Sequence, residues 1–166
     1  MTSKNTSETD ESGKGDRGLF YEGNRVGILL IHGMSGTPVE MRFIANGFAR
    51  EGYTVSCPQL AGHCETLEDL RKSTWQAWYD SAQTALDKLS ERCDQIFVAG
   101  LSMGGLLALR LAAFNPDKVR GAMVYAPTLW LDGWGVPWYS RLFELIRQKW
   151  CADLMMFSER PPFGIK

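Results

Sequence analysis

The twenty residues from Gln95 to Phe114 read QIFVAGLSMGGLLALRLAAF, and they change character at one point. Up to Gly100 the run is short, apolar and partly β-branched, as expected of a strand buried on both faces. Beyond Ser102 the apolar residues continue for three turns, interrupted only by Arg110, which suits a helix. The junction is Gly100-Leu101-Ser102-Met103-Gly104, a G-x-S-x-G sequence between a predicted strand and a predicted helix. In such a sharp turn the serine is forced into a strained backbone, and the flanking glycines let neighbouring backbone approach without a Cβ clash. Its hydroxyl then projects at a helix N-terminus, where N–H groups and the helix dipole favour a developing negative charge.

Outward from this junction the same alternation repeats. Val26–Ile31 (VGILLI) predicts a first central strand. Upstream, LFYE and VGILLIH flank Gly23-Asn24, a turn signal that predicts a hairpin between the two runs. Downstream, TPVEMRFIANGFAREG predicts a helix with Thr37 as cap, Pro38 in the first helical position, Glu40 completing a T-x-x-E capping box and Gly52 at the end. YTVSCP is a second strand stopped by Pro58. QLAGHCETLEDLRK is a loop or short helix. Ser73 and Gln76 predict a second capping box ahead of WQAWYDSAQTALDKLS, whose Trp75, Trp78, Ala82, Ala85 and Leu89 recur at helical spacing and predict a face packed on the sheet. The helix after Ser102 ends at Asn115-Pro116, and GAMVYAP is a further strand. Strand, helix, strand, helix, strand, helix, strand is the order of a doubly wound, mainly parallel α/β sheet.

Three segments follow from this reading. Residues 1–17, polar and charged, predict a disordered tail. Residues 18–128 predict the α/β core, and residues 129–166 a Trp-rich segment that starts a helical cap over the strand ends. The alternative for the last segment is an ordinary surface helix whose aromatics face the core. Trp130, Trp134, Trp138 and Trp150 cluster there, and the first three are candidate substrate-binding residues.

Composition narrows the function classes. The 166 residues are 45% hydrophobic and 22% charged, as in ordinary globular proteins. A net charge of −1 gives no electrostatic footprint for nucleic acid or an anionic membrane. The first eighteen residues hold no apolar run, so neither a signal peptide nor a membrane span is expected there, and a cytoplasmic location is. Cys57, Cys64, Cys93 and Cys151 form no CxxC pair and have no closely spaced His partners, which argues against a metal site and fits reduced thiols.

A second chemical element lies directly after the first central strand: Ile31-His32-Gly33-Met34-Ser35-Gly36-Thr37-Pro38. A small-residue loop there can aim the Met34 N–H at a carbonyl oxygen as it becomes an oxyanion, and the Met103 N–H, on the residue after the serine, would be the second donor. The bland alternative is a strand-to-helix turn in which the glycines only relieve crowding.

On LLIHGMSGTP, GYTVSCPQLAGHCET, VAGLSMGG and MVYAP, which together cover about Val26 to Pro127, the chain resembles the α/β-hydrolase superfamily. Within it the likeness is to small bacterial carboxylesterases and monoacylglycerol lipases of the serine aminopeptidase group. The resemblance implies Ser102 as catalytic nucleophile, the Met34 and Met103 amides as oxyanion hole, a small-molecule acyl ester as substrate, and no metal or organic cofactor. It also implies a triad acid after a later strand and a histidine near the C-terminus. Here both histidines, His32 and His63, precede Ser102, and the resemblance gives both a structural role. Asp132, Asp153 and Glu159 fall in or near the expected cap, and none is assigned as the acid. The expectation is therefore part of a longer carboxylic ester hydrolase, incomplete at its C-terminal side. The 166-residue chain alone is then expected to have little turnover and to associate through the open edge of GAMVYA. A peptidase or amidase on the same scaffold, and a non-catalytic truncated protein, are the alternatives.

Overall fold

In a computed structural model of the protein, residues 17–127 are described. They form a five-stranded sheet in the order β1-β3-β2-β4-β5, where β1 is Leu19–Tyr21, β2 Val26–Ile31, β3 Thr54–Cys57, β4 Gln95–Leu101 and β5 Val119–Tyr125. Strands β3, β2, β4 and β5 are parallel, and β1 joins the β3 edge antiparallel. The helices are α1 (Arg42–Arg50), α2 (Leu67–Lys72), α3 (Trp75–Ser90) and α4 (Met103–Phe114). The expected α/β fold with a mainly parallel sheet is thus observed. The tail and cap expected at residues 1–16 and 128–166 lie outside the described residues.

The alternation of strand side chains divides the core between two faces. Ile28, Leu30, Val55, Cys57 and Ala99 are buried together with Met41 and Ala45 beneath α1. On the other face α3 lies so close to β2 that a Cβ on Gly27 would meet the Leu89 side chain at 2.9 Å. A Cβ on Gly105 of α4 would likewise meet Val124 of β5 at 2.7 Å. Central strand β2 is the most deeply buried, with Leu29, Leu30 and Ile31 fully enclosed. That enclosure explains its unbroken apolar run.

Helix α1 ends in a Schellman motif. Gly52 takes φ +87°, its N–H donates to the Ala49 carbonyl at 3.0 Å, and the Tyr53 N–H reaches Phe48 at 3.2 Å.

Four local expectations are corrected. The β1–β2 hairpin does not form: β2 has both edges taken, by β3 and β4, so β1 crosses to pair with β3, Leu19 opposite Cys57 and Tyr21 opposite Val55. The Gly23-Asn24 signal serves another purpose. A Cβ on Gly23 would lie 2.5 Å from the backbone of Gly52 and Tyr53, and the Asn24 N–H donates to the Gly52 carbonyl at 2.7 Å. The glycine admits a neighbouring chain rather than a tight turn. The Thr37–Glu40 capping box is also absent: Pro38–Met41 is a 3₁₀ turn, Thr37 makes no side-chain cap bond, and the Glu40 carboxylate accepts from the Gly33 N–H at 3.0 Å. Before α3 the cap is Thr74, whose hydroxyl accepts from the Ala77 N–H, while Ser73 closes α2 and accepts from Trp78 Nε1 at 2.8 Å. The capping box that does form is Thr66 with Asp69, at the start of α2. Lastly, Trp75 is not buried with Trp78, Ala82, Ala85 and Leu89. It is half-buried, with the Arg110 guanidinium 5.0 Å from its ring centre, and Leu86 takes the core position instead.

Candidate active site

The site is built at the carboxyl ends of β2 and β4, where ligands bind in open α/β sheets. Ser102 sits between β4 and α4 with φ +54° and ψ −116°, a conformation that L residues avoid. Three contacts enforce it. The Ser102 N–H donates to the Tyr125 carbonyl of β5 at 2.8 Å, its own carbonyl accepts from the Gly105 N–H at 3.0 Å, and Gly100 has no room for a side chain, since a Cβ there would lie 2.1 Å from the Gly104 carbonyl oxygen. The non-glycine residues with positive φ among the described residues are Cys64, Ser102 and Ala126, following β3, β4 and β5 respectively. Backbone strain is therefore concentrated in the segments that leave the carboxyl ends of the strands.

The loop after β2 packs against this turn. A Cβ on Gly33 would lie 3.9 Å from the Ser102 Cβ, and a Cβ on Gly104 would lie 2.3 Å from the Ile31 carbonyl oxygen and 2.4 Å from that of His32. So α4 begins directly on the end of β2. Met103, the first residue of α4, is buried, and Met34 is half-buried in the facing loop. The first turn of a helix leaves N–H groups without intrahelical partners, which makes the Met103 N–H available to a ligand.

The peptide groups on either side of Met34 are anchored one after another. Glu40 takes the Gly33 N–H. His32 Nδ1 donates to the Gly33 carbonyl at 2.9 Å, and the Gly36 N–H reaches the same oxygen at 3.1 Å. His63 Nε2 lies 2.5 Å from the Met34 carbonyl oxygen. In a trans peptide C=O and N–H point in opposite directions, so holding the Gly33 carbonyl also fixes the direction of the Met34 N–H. The structure brings Ser102, Met34 and Met103 to one end of the sheet; Trp130, Trp134 and Trp138 lie outside the described residues. Sequence reasoning did not find the part played by Glu40, whose T-x-x-E spacing pointed to a cap, nor the link from His63 to Met34. Small residues at 33, 35 and 36, unable to anchor a loop themselves, were the available signal that other side chains must do so.

His32 is fully buried, and its Nε2 accepts from the Leu60 N–H at 3.4 Å, so its partners define the neutral Nδ1–H form. Burial pushes its pKa below the ordinary value, against a smaller opposite effect of the Gly33 carbonyl. The folded state then binds fewer protons than the unfolded chain below about pH 6.5. The His32 contribution to stability is complete above that pH and is lost as pH falls towards the folded-state pKa. Denaturant midpoints measured from pH 7.5 to 5.5 should fall on the acid side, and His32→Asn, which keeps a donor but cannot titrate, should flatten that fall. An unchanged slope in the variant would remove His32 as the cause.

A groove of about 870 Å³, lined by Leu19, Ser56, Gln59, Asp80 and Lys88 among others, lies between the β1–β3 edge and α3. Neither Ser102 nor the Gly33–Met34 loop lines it, so its size does not bear on the site. Among the described residues no group of His, Cys, Asp and Glu is arranged to hold a metal, and no helix is long and apolar enough to cross a membrane.

Comparison with known proteins agrees with this architecture. A thermostable monoacylglycerol lipase from Bacillus sp. (strain H-257) is 46% identical over 99 residues, 60% of this chain and 40% of that protein. A carboxylesterase from Bacillus subtilis (strain 168) is 30% identical over 99 residues, 59% of this chain and 40% of the relative. The chain thus spans about 40% of the length of these curated relatives. Among solved structures, one from a study of LipS and LipT, two metagenome-derived lipolytic enzymes, matches with a TM-score of 0.67 and 41% identity over 70% of this chain and 47% of its own. The monoacylglycerol lipase of Paleococcus ferrophilus, at 16% identity and a TM-score of 0.61 over 81% of this chain and 51% of its own, shares the fold. The Hydrolase_4 family model, described as serine aminopeptidase, S33, matches residues 23–161, and the chain belongs to that family of α/β-hydrolases.

Proposed function

We propose that this chain is the nucleophile-bearing part of a longer carboxylic ester hydrolase that works through an acyl-enzyme on Ser102. The observation that carries the reading is the strained Ser102, at φ +54° on the β4–α4 turn, with the Gly33–Met34 loop packed beside it. The esterase and lipase names of the relatives at 46% and 30% identity support an ester as substrate.

In this mechanism the Ser102 Oγ attacks the ester carbonyl carbon, and the carbonyl oxygen becomes an oxyanion held by the Met34 and Met103 N–H groups. Each such donor lowers the barrier by about 2.7–4 kcal/mol. A general base takes the serine proton and passes it to the leaving alcohol as the C–O bond breaks; water then cleaves the acyl-serine by the reverse sequence. His32 and His63 have both ring nitrogens directed at backbone partners, so the base is assigned to a histidine beyond this chain. Trp130, Trp134 and Trp138 are assigned to an apolar acyl pocket. The location is cytoplasmic, in keeping with the free thiols of Cys57 and Cys93.

The name of the family favours one second reading, cleavage of aminoacyl amides by the same nucleophile. The test uses the complete enzyme containing this chain. A fluorophosphonate probe should attach to Ser102, located by peptide mass, and p-nitrophenyl octanoate should be cleaved faster than aminoacyl p-nitroanilides. Attachment at another serine would overturn the nucleophile, and faster amide cleavage would turn the assignment to a peptidase.

A further inference from the structure

We infer that His63 is a positioning residue of this site, holding the peptide that follows Met34 so that the candidate oxyanion donor keeps its aim. The inference rests on the ester-hydrolase reading. His63 is 2% exposed, on the loop between β3 and α2, far in sequence from the residue that it holds. Its Nε2 lies 2.5 Å from the Met34 carbonyl oxygen and its Nδ1 3.1 Å from that of Ala61. Both partners are acceptors only, so a neutral ring donates to just one of them, and the Met34 contact is the shorter.

The two peptides flanking Met34 are thereby held by two different histidines, Gly33 C=O by His32 and Met34 C=O by His63. Holding both fixes the φ and ψ of Met34, and with them the turn from Gly33 to Gly36, whose Gly36 N–H is itself one of the donors on the Gly33 carbonyl. Remove the second anchor and the segment after Met34 can rotate about the Met34 Cα–C bond, which withdraws the Gly36 N–H from the Gly33 carbonyl and loosens the peptide that carries the Met34 N–H.

The imidazole is itself held on several sides. The His32 ring packs edge-on at 4.8 Å between centroids, and the Trp78 ring does so at 5.5 Å. Trp78 Nε1 is tied to Ser73 Oγ at 2.8 Å, and Ser73 Oγ donates to the Leu70 carbonyl at 2.7 Å. The turn that presents His63 is strained, with Gly62 at φ +72° and Cys64, a non-glycine residue, at φ +63°. The Gln59 amide holds the His63 carbonyl at 2.6 Å. A strained turn, a rigid stack and one short hydrogen bond all converge on the Met34 carbonyl, although a core histidine needs no strained turn to be buried.

The experiment compares His63→Gln and His63→Leu in the complete enzyme. Gln places an amide N–H near the position of Nε2, whereas Leu fills similar space with no donor. The readouts are kcat and KM on p-nitrophenyl octanoate per titrated active site, the rate of fluorophosphonate attachment to Ser102, and the melting temperature. An oxyanion donor acts in the transition state, so misaiming it lowers kcat and leaves KM in place. His63→Leu should lose about tenfold in kcat, equivalent to about 1.4 kcal/mol, with KM and Tm near wild type and phosphonylation slowed in parallel. His63→Gln should recover most of the loss. Wild-type kcat in His63→Leu overturns the inference, and so does an equal loss in both variants that follows the fall in Tm. If the unmodified enzyme cleaves no ester, the ester-hydrolase reading fails and takes the inference with it.

Discussion

Ser102→Ala should lower kcat on esters by about 10⁶ in the complete enzyme while leaving the protein as stable as before. The size comes from what the side chain does in the proposed mechanism: without Oγ no acyl-enzyme forms, and the two amides polarise a carbonyl that nothing attacks efficiently. In subtilisin, loss of the serine alone costs about 2 × 10⁶ in kcat, and a residual 10³–10⁴ over water survives from the oxyanion hole and binding. Stability depends on the backbone conformation instead. Ser102 holds φ +54° because the Tyr125 carbonyl and the glycines around it leave no alternative, and a non-glycine residue in such a region costs of order 1–3 kcal/mol. Ser102→Gly, free of that penalty, should therefore be inactive and more stable than the parent. Initial rates on p-nitrophenyl octanoate and chemical denaturation of the three proteins check both halves. An alanine variant keeping more than about one part in 10³ of the activity would remove Ser102 as nucleophile, and a glycine variant less stable than the parent would contradict the strain.

The parts of this fold that sequence could disclose are those governed by short-range pattern. Val26–Ile31 and Ile96–Leu101 are unbroken apolar runs because both of their faces are covered, and Gly100 and Gly104 flank Ser102 because backbone fills the space that side chains would need. What it could not disclose are the partners that distant segments supply. Gly23-Asn24 has the chemistry of a tight turn, but the space beside Gly23 is occupied by Gly52 and Tyr53, and no local rule says so. Glu40 stands at the spacing of a helix cap; it reaches back seven residues to the Gly33 N–H, a part-buried donor that needs an acceptor. The same applies to His63. A Gly-His turn reads as structural, and only the fold shows that its Nε2 lies against the carbonyl of Met34, 29 residues earlier.

The tightest of these long-range contacts gives the second large effect. Gly104→Ala adds a methyl carbon 2.3 Å from the Ile31 carbonyl oxygen, 2.4 Å from that of His32 and 2.8 Å from the Ile31 carbonyl carbon. All three atoms are backbone, at the end of the most buried strand, so none can swing aside as a flexible side chain would. The strain is relieved by moving the start of α4 away from β2, which costs about 1–3 kcal/mol as overpacking does. The catalytic loss should be larger than the loss of stability. Met103 rides on the start of α4 and Met34 on the loop that follows β2, so the displacement parts the two candidate oxyanion donors, and a misplacement of about 1 Å costs about 10² in rate. Gly47→Ala is the control. It lies within α1, where a Cβ would have nothing within 4 Å, and it should stabilise by about 0.5–1 kcal/mol through helix propensity alone with kcat unchanged. Parallel denaturation and kcat measurements on the two variants separate crowding at this contact from a general intolerance of added methyl groups. A folded Gly104→Ala enzyme with wild-type kcat would mean that the junction of β2 and α4 does not set the spacing of the donors.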